Sequence, residues 1–147
     1  MAWIILGYLM YVTAAHADEG TYIGKYVCNP KEDKLTFSNE LLMNEAADAF
    51  RTINTDLKVV YSSDDLHNNN ESINKTCRLS NSTYKVILSY GYEVHGGWAW
   101  PEMHLYKGKE QIFYTERYEF IDRCQVIELD GKTGKVQVVS QGKEHEC

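Results

Sequence analysis

The sequence predicts a single α+β domain in which one N-terminal helix packs on a central antiparallel β-sheet. Three observations lead to this fold class. Residues 38–53 repeat their apolar side chains at helical spacing. The second half of the chain contains several strand-like segments separated by turn signals, with no helical pattern between them. The four cysteines indicate a domain braced by two disulfide bonds.

The first 17 residues, MAWIILGYLMYVTAAHA, are apolar and contain no acidic or basic side chain except His16. Ala15-His16-Ala17 has the small-x-small pattern of a signal peptidase site. The apolar run is shorter than the about 20 residues that a membrane-spanning helix needs. We therefore predict a signal peptide at residues 1–17, secretion, no membrane partner, and one mature domain at residues 18–147. The alternative is a buried N-terminal strand or helix.

The mature chain is predicted to begin with a strand that ends at Asn29-Pro30. Tyr22, Tyr26 and Cys28 would lie on one face of this strand. Ser38 is a suitable N-cap for a helix over residues 39–53. The apolar face of that helix, which would pack on the sheet, is formed by Leu41, Leu42, Ala46, Ala49 and Phe50.

A short buried strand, LKVVY at residues 57–61, follows the predicted helix. Residues 62–76 are polar, have no apolar period, and are predicted to form a loop. Glycosylation sequons begin at Asn70, Asn74 and Asn81 and mark surface positions in a secreted chain.

The remainder reads as strands: TYKVILSYGY, MHLYK, QIFYTERYEF, RCQVIEL and KVQVVS. Turn signals separate them at Gly96-Gly97, Lys107-Gly108 and Asp130-Gly131. The order of one helix followed by neighbouring strands predicts an antiparallel sheet.

An even number of cysteines in a secreted chain is typical of disulfides, and three pairings of the four are possible. We favour Cys28 with Cys147, which would tie the start of the domain to its last residue, and Cys77 with Cys124. A metal site is not predicted, because there is no CxxC motif and the histidines are scattered. No cofactor is predicted.

The formal net charge of −6 disfavours tight, non-specific nucleic-acid binding, because the chain as a whole does not attract phosphates. A local basic groove is compatible with this net charge.

Two segments, GGWAWPEM (96–103) and DRCQVIELDGKTGKVQVV (122–139), together resemble the small fungal guanyl-specific ribonucleases. Those enzymes place an N-terminal helix on an antiparallel sheet and end in a cysteine that bonds to the N-terminal region. The matching residues are Trp98, Trp100, Pro101, Asp122, Arg123 and Cys147. The resemblance implies a ribonuclease-like fold.

The catalytic residues of that family are missing. Ala99 stands where the resemblance places the catalytic glutamate, and Val138 or Val139 where it places the catalytic histidine. Cleavage by attack of a 2′-hydroxyl needs a general base and a general acid. Only Arg123 is retained, as a vestigial phosphate contact or as an ion-pair partner of a nearby carboxylate. We therefore predict a pseudoenzyme with no catalytic residues.

Tyr26-Val27-Cys28 matches the Tyr-x-Cys motif of powdery mildew secreted effectors, and the chain is similar to their ribonuclease-like subset, the RALPH family. This resemblance implies a secreted fungal virulence effector that enters host plant cells and acts by binding host proteins or, weakly, host RNA. It also implies that a plant intracellular immune receptor recognises the protein through surface residues, with contacts expected from residues 62–76 and 91–102.

Two other functions fit the residues. An active secreted ribonuclease would use His95 or His104 with Glu93 or Glu102, and would bring these pairs and Arg123 to one concave face. A secreted adhesion or carbohydrate-binding domain would expose Trp98 and Trp100 on a flat face. The ribonuclease-like fold instead predicts that at least one of these tryptophans is buried against the helix.

Overall fold

A computed structural model of the chain describes residues 20–115 and 123–143, with side chains given for 20–115 and 125–139. The predicted signal peptide lies outside the described residues. The elements are β1 (Gly20–Asn29), β2 (Lys34–Met43), α1 (Asn44–Asp48), β3 (Ile53–Asn54), β4 (Lys58–Ser62), α2 (Ser63–Asn69), β5 (Ile73–Arg78), β6 (Thr83–Glu93), β7 (Trp98–Lys107), β8 (Glu110–Tyr114), β9 (Arg123–Asp130) and β10 (Val136–Lys143).

The strands form two sheets. The larger, sheet A, has the order β10-β9-β2-β1-β4-β3, and the smaller, sheet B, has the order β5-β6-β7-β8. Every pair of neighbouring strands is antiparallel. In sheet B each strand pairs with the next one along the chain, so this sheet is a simple meander.

One hydrophobic core lies between the two sheets. Successive side chains of a strand point to opposite faces of its sheet, so about one residue in two faces this core. Sheet A contributes Tyr26, Cys28, Leu35, Phe37, Val59, Tyr61, Ile127 and Leu129, and sheet B contributes Cys77, Tyr84, Val86, Leu88, Trp100, Met103 and Leu105. The shared core makes the described fold a two-sheet β-sandwich.

The predicted α+β class is therefore wrong, and so is the ribonuclease-like fold that the motifs implied. The described residues form mostly strands in two packed sheets, with two helices of five and seven residues. Neither helix covers a central sheet. Among the described residues, no helix is long and apolar enough to cross a membrane.

The predicted helix over residues 39–53 is wrong for most of its length, because residues 39–43 belong to β2, only 44–48 are helical, as α1, and residues 49–52 are in neither a helix nor a strand. Ser38 is not an N-cap, because it lies in β2 opposite Lys25 of β1. All ten residues of β2 pair with β1, and inward positions Leu35, Phe37 and Asn39 are buried. Pairing of the whole hairpin outweighed the helical spacing of the apolar residues, and only α1 remains helical.

Residues 62–76 are not one loop, since they contain α2 and the first part of β5. The Ser62 hydroxyl caps α2 by accepting a hydrogen bond from the Asp65 N–H at 3.4 Å. Leu66 anchors the helix in the core, and Asn70 ends it with a positive φ of 50°.

Several local predictions are confirmed. Val59, Val60 and Tyr61 of β4 are buried, as expected for LKVVY. The turns at Gly97 and Gly108 have φ values of 67° and 63°, which glycine adopts without a steric penalty.

The described disulfide joins Cys28 of sheet A to Cys77 of sheet B. This bond contradicts the pairing of Cys28 with Cys147 and of Cys77 with Cys124. The prediction failed because Cys28 and Cys77 both lie on inner faces, directly across the core. Cys147 and the side chain of Cys124 lie outside the described residues.

Candidate functional site

A cleft of about 750 Å³ lies where one end of sheet A meets the β6–β7 hairpin of sheet B. The start of β1, the end of β2 and both helices form its other walls. Its lining includes rings, carboxylates and amides, from Tyr22, Asn44, Asp48, Asp64, His67, Asn68, Tyr92 and Trp98. None of the described lining residues is Lys or Arg.

Helix α2 is attached to both sheets through Ser63. The Ser63 hydroxyl donates to the carbonyl of Tyr22 in β1 at 2.8 Å, and it also lies 3.3 Å from the carbonyl of Ala99 in β7. The Ser63 side chain is fully buried, and its contact with the Ala99 carbonyl is buried as well. They hold the next turn of the helix, with Asp64 and His67, at the wall of the cleft.

Asp64 is half-buried at this wall. Burial raises the pKa of its carboxyl, although hydrogen bonds from the Ala99 N–H and the Thr21 hydroxyl, which stabilise the charged form, oppose the shift. A carboxyl group with a raised pKa in a cleft is a candidate functional residue.

Paired aromatic rings line the cleft next to Asp64. The His67 ring stacks on Tyr92 with centroids 3.7 Å apart and planes 12° apart. Trp98 packs against Tyr22 with centroids 5.7 Å apart. These pairs bring together α2, β1 and both strands of the β6–β7 hairpin.

Two glycines leave room for the tryptophan rings next to the hairpin backbone. A Cβ on Gly91 would lie 2.1 Å from the ring of Trp100, and a Cβ on Gly96 would lie 2.3 Å from the ring of Trp98. Both approaches are closer than any side chain at the glycine permits. The glycines therefore set the ring positions on this side of the cleft.

The two predicted tryptophans have different environments. Trp98 is partly exposed and lines the cleft, whereas Trp100 is only 5% exposed and belongs to the core. The flat, exposed pair expected of the carbohydrate-binding hypothesis is therefore not formed. The ribonuclease-like fold predicted that at least one of the two tryptophans is buried against a helix. Trp100 is buried, but its ring lies against Gly91 rather than against a long helix. Ala99 and Pro101 are also buried.

The acid–histidine pairs of the ribonuclease hypothesis lie apart. Glu102 and His104 are neighbours on the outer face of sheet B, with Oε2 and Nε2 3.7 Å apart. Glu93 and His95 lie at the β6–β7 turn, where Glu93 accepts from the His95 N–H at 3.2 Å. The register puts Glu102 opposite Ser89, about 13 Å along the strand from Glu93. Neither pair lines the cleft.

Arg123 is the first residue of β9, and its backbone pairs with Lys143. Its side chain and the whole of Asp122 lie outside the described residues. The vestigial phosphate contact therefore stays a prediction.

The sequence predicts binding contacts within residues 62–76 but does not single out Asp64 or His67, because a loop prediction gives no helix to position them. Ser62-x-x-Asp65 is the pattern of a capped helix start, and Leu66 supplies an apolar anchor. Together these signals identify α2. They do not show which strands the helix contacts.

Comparisons with protein-family models, with curated proteins and with solved structures find no match for this chain.

Proposed function

We propose that this chain is a secreted binding protein that acts without catalysis and holds its ligand in the cleft. The observation that carries the proposal is the combination of a partly desolvated carboxyl group, Asp64, with a wall of aromatic rings. Ligand sites are typically concave, largely apolar or aromatic, and furnished with a few placed polar groups.

The charge of the cleft favours a neutral, hydroxyl-rich ligand such as a saccharide. Carboxylates line the cleft without a described lysine or arginine, so an anionic ligand would be repelled. Burial raises the pKa of the Asp64 carboxyl, which already accepts two hydrogen bonds. This environment suits a group that hydrogen-bonds to a neutral ligand better than one that pairs with a cationic ligand. The ring of Trp98 offers apolar surface to the C–H face of a sugar.

The absence of catalysis is proposed from the sequence and supported by the layout of the histidines. Glu102–His104 and Glu93–His95 lie outside the cleft. His67 lines it, but its ring is stacked on Tyr92, which suits a wall element.

The site of action is proposed from sequence motifs. Tyr26-Val27-Cys28 and the N-terminal segment suggest a fungal effector with host plant proteins, including an intracellular immune receptor, as partners. Within β1, Tyr26 is a core residue and Cys28 is half of the disulfide, so the motif has an architectural role here. The Cys28–Cys77 bond is compatible with secretion. Host RNA would require Arg123 and a surface other than the cleft.

The test is titration of the purified, oxidised protein with short β-1,4-linked oligomers of glucose and of N-acetylglucosamine, monitored by tryptophan fluorescence and calorimetry. We expect saturable binding to one of them, and Trp98→Ala should weaken it by about tenfold or more, equivalent to about 1.4 kcal/mol. Tyr114→Ala is the matched control, because Tyr114 is an exposed ring on sheet B that does not line the cleft.

Saccharide binding that is insensitive to Trp98→Ala would contradict the assignment of the cleft. Binding of single-stranded RNA alone, weakened by salt, would contradict the ligand class. Cleavage of either ligand would contradict the non-catalytic function.

A further inference from the structure

The three sequons, which lie within residues 70–83, fall along one edge of the fold. Asn70 immediately follows α2, Asn74 lies in β5, and Asn81 lies in the turn between β5 and β6. All three asparagines are exposed. Among the described strands, β5 pairs only with β6, so it is an edge strand of sheet B.

Asn74 has the geometry that a modified side chain needs. Ile73, Lys75 and Cys77 alternate toward the core side of β5, while Asn74 and Thr76 are exposed on the outer side. The asparagine amide and the threonine hydroxyl of one sequon therefore share the solvent face.

Asn74 also begins a row of side chains across the outer face of sheet B. The register places Asn74 opposite Ile87, Ile87 opposite His104, and His104 opposite Tyr114. The His104 and Tyr114 rings stack with planes 10° apart, and Tyr114 is 44% exposed. The row extends about 14 Å across the strands. This face therefore presents apolar and aromatic surface to solvent.

We propose that Asn74 carries an N-linked glycan whose first sugars lie along the row Ile87, His104 and Tyr114. The proposal rests on the proposed secretion of the chain. The donor is an oligosaccharide on a lipid pyrophosphate. A bond forms between Nδ2 of Asn74 and the anomeric carbon, the bond from that carbon to the pyrophosphate oxygen breaks, the amide releases one proton to solvent, and the lipid pyrophosphate leaves with the electron pair of the broken bond.

A glycan here has two physical consequences. It blocks the edge of β5 that pairs with no described strand, which would otherwise offer a template for pairing with another chain. It also covers ring surface that no described residue covers. The row is separate from the cleft, because Ile87 lies five residues along β6 from Tyr92, a distance of about 17 Å.

The experiment is secretion of the full chain from yeast, with its own leader and with residues 1–17 replaced by a proven leader. The Asn74 peptide is then analysed by mass spectrometry after enzymatic glycan release in heavy-oxygen water. We expect conversion of Asn74 to a labelled aspartate. Asn74→Gln and Thr76→Ala should each remove one glycan, whereas Asn70→Gln and Asn81→Gln should leave the Asn74 glycan in place.

The two leaders separate the two proposals. Failure of secretion only with the native leader contradicts the proposed secretion, and the chain with the proven leader still tests Asn74. An unmodified Asn74 in that secreted protein overturns the glycan proposal. The contact between the Asn74 glycan and the row is tested by measuring Tm before and after the glycan is removed. Removal should lower the Tm of the native protein by roughly 3 °C. In Tyr114→Ala, removal should leave Tm unchanged. An equal shift in both proteins overturns the contact.

Discussion

The carboxylate of Asp33 receives two hydrogen bonds from Ser80, a residue 47 positions later in the chain. The Ser80 N–H donates to one oxygen at 2.8 Å, and the Ser80 hydroxyl donates to the other. The Asp33 carbonyl accepts from the Gly131 N–H at 2.7 Å. These bonds connect the turns β1–β2, β5–β6 and β9–β10, so they tie the two sheets together at one end of the sandwich.

This link should make the fold sensitive to acid. The hydrogen bonds from Ser80 lower the pKa of the Asp33 carboxyl. Because the pKa is lower in the folded state, the stabilisation is fully present above the ordinary aspartate pKa of about 3.9. It is lost as the pH falls through the folded-state value. Ser80→Ala should therefore raise the pH midpoint of acid unfolding, measured by circular dichroism.

Asp56→Asn removes an exposed carboxylate elsewhere and serves as the control, with little change expected in the midpoint. An identical midpoint for the native protein and Ser80→Ala would show that the link does not stabilise the fold.

The Cys28–Cys77 disulfide closes a loop with a sequence separation of 49 residues. On the chain-entropy model, a loop of this length contributes about 4 kcal/mol to the free energy of unfolding. The double variant Cys28→Ala, Cys77→Ala should lose stability of that order in denaturant unfolding. Peptide mapping without reductant should recover Cys28 joined to Cys77. A peptide joining Cys28 to Cys147 would refute the pairing.

Gly91 is required by the close approach of the Trp100 ring. A methyl group there would meet the ring at 2.1 Å, and both groups lie within paired strands. Gly91→Ala should destabilise the protein by about 1–3 kcal/mol and change the near-ultraviolet dichroism of tryptophan. Ser89→Ala, on the same strand and face, should stay within about 0.5 kcal/mol. Equal stabilities of the two variants would contradict the contact.

Asp64 should lower stability at neutral pH. Because burial raises its pKa, folding disfavours the charged form, and stability falls as the pH rises from about 3.9 through the folded-state pKa. Asp64→Asn should therefore be more stable than the native protein at pH 7, and the difference should vanish in acid. Denaturant unfolding across pH measures this effect. A difference that grows in acid would have the wrong sign.

The segment around β2 shows why the fold class was not predictable from local pattern. Leu41, Leu42, Ala46 and Ala49 recur at helical spacing, and Ser38 is an acceptable N-cap. Leu35, Phe37 and Asn39 alternate, which favours a strand. Both patterns are present in the residues. Two tertiary features favour the strand. All ten residues of β2 pair with β1, and the buried Asn39 accepts a hydrogen bond at its Oδ1 from the Gln125 N–H at 3.1 Å.

The candidate site could be predicted only in part. Trp98 stood out from the sequence and does line the cleft. Asp64 and His67 did not, because their importance comes from the contacts of α2 with β1 and β7. Those contacts join residues far apart in the chain, and no local spacing records them.

By itself, the sequence determined the local elements whose cause is local. Alternating apolar residues specify β1 and the strands of the second half, the apolar run at residues 59–61 specifies β4, and glycines specify the turns at Gly97 and Gly108. Only the tertiary structure decided the division into two sheets, the strand state of residues 34–43, the partner of Cys28 and the residues of the cleft. Each of these depends on which inner faces bury one another, and that burial is a property of the assembled chain rather than of any one segment.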